Sequence, residues 1–150
     1  MISQVHGEDE MIALGTRLGV LLFGGEIIEL IGDVGAGKTT LSKGIALGLE
    51  VEEVVLSPSF TISRVYNGRD GLVLAHYDFY RLVDAGIMAD ELSETVSDPK
   101  TVTIIEWGGV VEGVLPIDRL TIRIESPTEN SRRLSIVPGG PISKKLEAKL

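Results

Sequence analysis

Directly after the apolar run Glu26–Ile31, the residues Gly32, Asp33, Val34, Gly35, Ala36, Gly37, Lys38, Thr39 and Thr40 combine small residues, one amine and two hydroxyls. Gly32, Gly37, Lys38 and Thr39 satisfy the pattern G-x-x-x-x-G-K-[ST]. The spacing has a mechanical reason. A loop that curls around a phosphate with successive N–H groups pointing inward needs residues without Cβ where the backbone crowds the ligand. The dipole at the start of the following helix and Lys38 supply positive potential, and the Thr39 hydroxyl suits Mg²⁺ beside the phosphates. The chemistry expected here is binding of a nucleoside triphosphate with Mg²⁺.

Which use the chain makes of that nucleotide is narrowed by other residues. A GTPase should carry Asn-Lys-x-Asp for guanine; the nearest match, Asn67–Asp70, lacks the lysine, and Asp-x-x-Gly is absent. Asp78-Phe79-Tyr80-Arg81 places an acid beside an aromatic and an arginine, as small-molecule kinases do near an acceptor hydroxyl. Such kinases also need an arginine-bearing lid. Arg119 and Arg123 fall on an expected strand, and Arg132 and Arg133 on the rim of a short loop, so no lid is evident. Hydrolysis, transfer to a small molecule and a non-enzymatic ATP-gated module all stay open on these residues.

The elements that must position this loop follow from periodicity. Glu8–Leu22 spaces Met11, Leu14, Leu18, Leu21 and Leu22 by three and four residues, the pattern of an amphipathic helix. Glu26–Gly32 is short and β-branched, hence a buried strand, and Lys38–Leu49 is the helix leaving the loop. The runs 60–66 and 72–79 flank Asn67–Gly71, whose Asn-Gly and Asp-Gly steps favour a tight hairpin turn. A helix is expected from about Asp84 to Val96, and Thr101–Trp107 reads as a second apolar strand that ends in the carboxylate of Glu106. The runs 119–125 and 132–138 alternate polar and apolar side chains, as half-exposed strands near a sheet edge do. The fold class expected is α/β: a single three-layer domain over 1–150, with a mixed, centrally parallel sheet.

Composition sets the outer bounds. A chain of 150 residues with 43% hydrophobic content suits one domain. Its N-terminal region shows no basic-then-apolar leader and its longest apolar stretch, Leu18–Gly25, falls far short of the roughly 20 residues that span a bilayer, so a cytoplasmic protein without membrane contact is expected. With no cysteine and two isolated histidines, His6 and His76, neither disulfides nor a cysteine or histidine metal cluster is expected. The net charge of −8, without a basic run, repels nucleic acid.

Four segments together carry a resemblance: Gly32–Thr40, Ser57-Pro58-Ser59-Phe60, His76–Leu82 and Ile104–Trp107. In order and spacing they resemble the bacterial TsaE (YjeE/YdiB) family of ATPases, over about Leu14–Leu134. That resemblance implies a P-loop NTPase domain with ATP and Mg²⁺ as cofactors. It also implies ATP hydrolysis in complex with TsaB- and TsaD-like proteins during threonylcarbamoyladenosine modification of tRNA, the RNA being met only indirectly.

Carried over residue by residue, Lys38 matches the phosphate-binding lysine, Thr39 the Mg²⁺-ligating hydroxyl, Glu106 a carboxylate on the metal side, and Asp78 an acid that orients a water. Physical chemistry fits Glu106, since a carboxylate closing an apolar strand is costly unless it meets a cation or donors. The plainer readings are a water-facing strand-end acid for Glu106 and a helix cap or an ion pair with Arg81 for Asp78. Ser59 stands where the family usually has threonine, keeping a hydroxyl in a switch-like segment, and Met11 stands where it often has threonine near the adenine. Trp107 is expected to pack rather than stack on a base, and His76 to be a hydrogen-bonded core histidine. No arginine finger is evident, so hydrolysis by the isolated chain is expected to be slow.

Overall fold

The structure is a computed structural model that describes residues 1–58 and 61–150; the reading of Ser59 falls outside them. Among the described residues the chain runs β1 (Ile2–His6), α1 (Glu8–Val20), β2 (Ile27–Ile31), α2 (Lys38–Gly48), β3 (Ser63–Asn67), β4 (Val73–Asp78), α3 (Ile87–Ser97), β5 (Thr101–Glu106), β6 (Leu120–Glu125), β7 (Ser131–Pro138) and α4 (Pro141–Lys149). The sheet order is β1-β7-β6-β2-β5-β4-β3. Its centre, β6-β2-β5-β4, is parallel, and the outer pairs β1/β7, β7/β6 and β3/β4 are antiparallel. The expected mixed, centrally parallel sheet is what forms.

The period-2 alternation of β5 divides its side chains between two cores. Val102 and Ile104 join Leu14, Leu18, Leu41 and Ile45 of α1 and α2, while Ile105 joins Leu92 of α3 and Val111. Helices therefore cover both faces, which is why β2 and β5 are nearly continuous apolar runs. The outer strands differ from expectation. β6 is not near an edge, because β7 and the unanticipated β1 extend the sheet beyond it. Its alternation reflects one face in the core and one turned to a groove. The hairpin is present, closed by a short 3₁₀ turn at Arg69–Gly71. α3 begins at Ile87, after a left-handed Gly86, rather than at Asp84.

α4 was not anticipated either. It opens on Pro141, and its first amides, Ile142 and Ser143, donate to the Asp118 carboxylate at 2.9 Å. Burial alone would push the Asp118 carboxyl up; the Ser143 hydroxyl and these amides outweigh it and hold it below its ordinary value.

Two contacts set α2 in place. Gly15 and Gly19 of α1 face Gly44 and Gly48 of α2 so closely that a Cβ on any of them would collide with backbone of the other helix. At the far end Arg69 donates to the carbonyls of Gly19, Val20, Leu22 and Gly48, bridging the C-terminal ends of both helices. Gly44→Ala is expected to cost about 1–3 kcal/mol by forcing the helices apart. Urea denaturation checks this; an unchanged midpoint would mean that the contact is not limiting.

Candidate functional site

β2 delivers the chain at Ile31 to a loop whose curvature comes from its glycines. Gly35 (φ 82°) and Gly37 (φ 113°) adopt left-handed backbone that side-chain-bearing residues rarely take, and α2 starts at the next residue, Lys38. The loop therefore abuts a helix N-terminus, as anion binding requires. Lys38 is buried, and its Nζ donates to the carbonyls of Gly32 and Asp33, the latter at 3.0 Å.

Trp107 forms the other side of this amine, its ring centroid 4.7 Å from Nζ. It follows Glu106 with φ 56°, a conformation uncommon for a bulky residue, which turns the ring out of the strand line. The ring rests against Tyr80 at 4.9 Å and stays 37% exposed, so Trp107 packs at the cleft mouth rather than in the core.

The two acids meet beside the loop. Asp78 and Glu106 end adjacent parallel strands as register partners, and Phe79 N donates to the Glu106 carbonyl at 3.1 Å, tying the strand ends together. Both carboxylates are at least 96% buried. One Asp78 oxygen accepts the Tyr80 amide at 2.9 Å, and Glu106 Oε2 lies 2.6 Å from His76 Nε2. His76 is thus the expected hydrogen-bonded core histidine. Its partner was not foreseen. The water-facing reading of Glu106 does not survive its burial.

A cleft of about 440 Å³ collects Val34, Gly35, Gly37, Lys38, Thr39 and Thr40 with Ser57, Asp78, Tyr80, Arg81, Glu106 and Trp107. Gly32 and Asp33 face a separate groove of about 480 Å³ beyond Trp107, with Glu29, Glu112 and Arg123. Ala36 lines a smaller hollow of about 290 Å³ with Met11, Asn130 and Arg132. Volume does not choose between them; only the first joins an ammonium, a hydroxyl and two buried carboxylates. Among the described residues no group of three or more His, Cys, Asp or Glu could hold a metal. A hydroxyl with one or two carboxylates is the oxygen set of a Mg²⁺ site shared with phosphate.

Two arginines reach the loop and its cleft. Arg81, three residues beyond the end of β4, lines the cleft together with Asp78, in keeping with the Asp78–Arg81 grouping read from the sequence. Arg132 lies on β7, not on a loop rim, and its Nε donates to the Ala36 carbonyl at 2.9 Å while Nη1 holds the carbonyls of Thr128, Glu129 and Ser131. It braces the phosphate-type loop from the neighbouring strand pair. No local pattern announces a contact across 96 positions of sequence.

Residues 5–134 match the family described as "Threonylcarbamoyl adenosine biosynthesis protein TsaE". The chain belongs to the TsaE family. Its relatives include the "tRNA threonylcarbamoyladenosine biosynthesis protein TsaE" of Streptomyces coelicolor, 44% identical over 117 residues, which cover 77% of this chain and 78% of the relative. The protein of the same name from Bacillus subtilis is 37% identical over 118 residues, 77% of this chain and 72% of the relative. The crystal structure of Bacillus subtilis YdiB superposes with a TM-score of 0.82 at 31% identity, covering 99% of this chain and 92% of that one. The α/β P-loop NTPase fold expected from the sequence is therefore the fold of this TsaE-family chain.

Arg132→Ala is expected to leave this fold intact and to loosen the loop. Amide hydrogen exchange at Val34–Gly37 should accelerate about tenfold, the worth of one lost hydrogen bond, with β5 unchanged. Equal exchange in both proteins would mean that Arg132 does not brace the loop.

Proposed function

We propose that this TsaE-family chain is a Mg²⁺-dependent ATPase that acts in the cytoplasm with TsaB–TsaD-like partners in threonylcarbamoyladenosine modification of tRNA. The observation that carries this reading is the meeting of Lys38, Thr39, Asp78 and Glu106 in one cleft at the ends of β2, β4 and β5. Loop amides at Val34, Gly35 and Gly37 to Thr40, with the start of α2, cradle the phosphates. Lys38 releases its loop carbonyls to meet the γ-phosphoryl as negative charge develops there.

Thr39 and Glu106 would hold Mg²⁺, which would supply neutralisation of phosphate charge. Asp78 orients the attacking water. Water adds to the γ-phosphorus, the bond to the β–γ bridging oxygen breaks, and ADP, orthophosphate and the proton given up by the water are released. Burial of both carboxylates supports these roles, because a low-dielectric cleft strengthens each interaction inside it.

The tRNA belongs to the partners in this proposal. A net charge of −8 leaves few cations for phosphate contacts, and affinity for RNA at physiological salt follows their number. Among the described residues no helix is long and apolar enough to cross a membrane.

Product analysis after incubation with Mg·ATP tests the chemistry. Orthophosphate is the expected product; a phosphorylated small molecule would establish a kinase, and unchanged ATP, with partners present, a gate. Lys38→Ala should keep the fold by circular dichroism and lower turnover by about 10²–10³, as loss of one transition-state donor does. Glu106→Gln should recover part of its lost activity as Mg²⁺ is raised, whereas Asp78→Asn should not. A parallel response of the two variants to a Mg²⁺ titration would overturn their separate roles.

A further inference from the structure

His76 is fully buried on β4, and its imidazole makes one polar contact among the described residues, from Nε2 to Glu106 Oε2 at 2.6 Å. Nδ1 has no partner there. A ring buried with one orphan nitrogen costs stability that an apolar side chain of similar size would not, so packing alone does not account for it. Strand geometry explains the contact. Two residues apart on β4, His76 and Asp78 share a face, and Glu106 is the register partner of Asp78 on β5, one diagonal step from the ring.

From this geometry we infer that His76 is a positioning residue, whose Nε2–H holds one oxygen of Glu106 and leaves Oε1 to the metal side of the cleft. The inference rests on the proposed metal role of Glu106. A glutamate has rotatable bonds that place its carboxylate in several orientations, and one fixed oxygen removes that freedom before any cation arrives. The donor assignment follows from chemistry. A carboxylate only accepts, so a proton lies on Nε2. Metal-ligating carboxylates are commonly held in this way by an outer partner, and loss of such a partner lowers metal affinity 10–100-fold.

Two substitutions separate positioning from mere burial. The amide nitrogen of Gln occupies the place of Nε2 and that of Asn the place of Nδ1, so His76→Gln keeps the hydrogen bond and His76→Asn loses it. The readout is binding of a fluorescent ADP analogue to the full chain as Mg²⁺ is titrated, with no turnover involved. His76→Asn should raise the half-saturating Mg²⁺ concentration at least about tenfold, and His76→Gln should stay near wild type. Binding in EDTA should be the same for all three proteins. In a Glu106→Gln background, His76→Asn should add nothing, because the carboxylate it serves is gone.

A second arm needs no variant: ¹⁵N shifts of His76 in the wild-type protein should show Nε2 protonated. An Nε2 without a proton would overturn the inference. So would equal Mg²⁺ midpoints for Asn and Gln variants, or a full His76→Asn effect in the Glu106→Gln background. Wild-type binding that ignores Mg²⁺ would overturn the metal reading of Glu106 and this inference with it. A midpoint moved by Glu106→Gln but not by His76→Asn would overturn this inference alone.

Discussion

Two parallel strands covered on both faces, β2 and β5, are the constraint on which the rest of the molecule depends. Every residue of β5 from Thr101 to Glu106 is buried, and so are the first four of β2. Such strands cannot shift register without turning a row of apolar side chains to the wrong face, so their ends are fixed points. Because β2, β5 and β4 run parallel, all three end at the same edge of the sheet. Ligands in open α/β sheets gather outside the carboxyl ends of the strands for that reason. Here the edge receives the glycine loop from β2, Glu106 and Trp107 from β5, and Asp78 from β4.

Stiffness at that edge is built from outside it. α2 begins within the loop, and α2 is fixed against α1 by facing glycines and by Arg69 across four helix-end carbonyls. Arg132 reaches from β7 to the loop itself. Electrostatics and packing converge on the same residues. Lys38, Asp78 and Glu106 are all buried, and each has polar contacts of its own: the lysine with loop carbonyls, the aspartate with Tyr80 N, the glutamate with His76. A buried charge held in this way is oriented at the cost of desolvation, and only a ligand of opposite charge in the cleft makes full use of that orientation.

Much of this was legible in the sequence, and the reason is local periodicity. β2, α2, the β3–β4 hairpin and β5 each carry a pattern that one element can satisfy alone, and the glycine loop carries its own spacing. β1 and α4 escaped because neither has a self-sufficient pattern. β1 gains its place by pairing with β7, and α4 buries little beyond Ser143 and Leu146, relying on Asp118 at its first turn. β6 was read as lying near an edge because alternation looks the same whether the polar face meets solvent or a groove. Trp107 could be located but not aimed, since its left-handed backbone leaves no compositional mark. The His76–Glu106 contact was partly within reach: strand period puts His76 and Asp78 on one face, but only the β4–β5 register brings Glu106 to them.

That the glycine loop binds a triphosphate through its backbone is the claim on which the functional account stands. Backbone amide chemical shifts of the isotopically labelled chain, recorded with Mg·ATP and with AMP at equal concentration, test it most directly. The account predicts large shifts at the amides of Gly35, Gly37, Lys38, Thr39 and Thr40 with Mg·ATP and little change there with AMP, which lacks the β- and γ-phosphates. Equal shifts with both nucleotides, or shifts concentrated away from the loop, would contradict it.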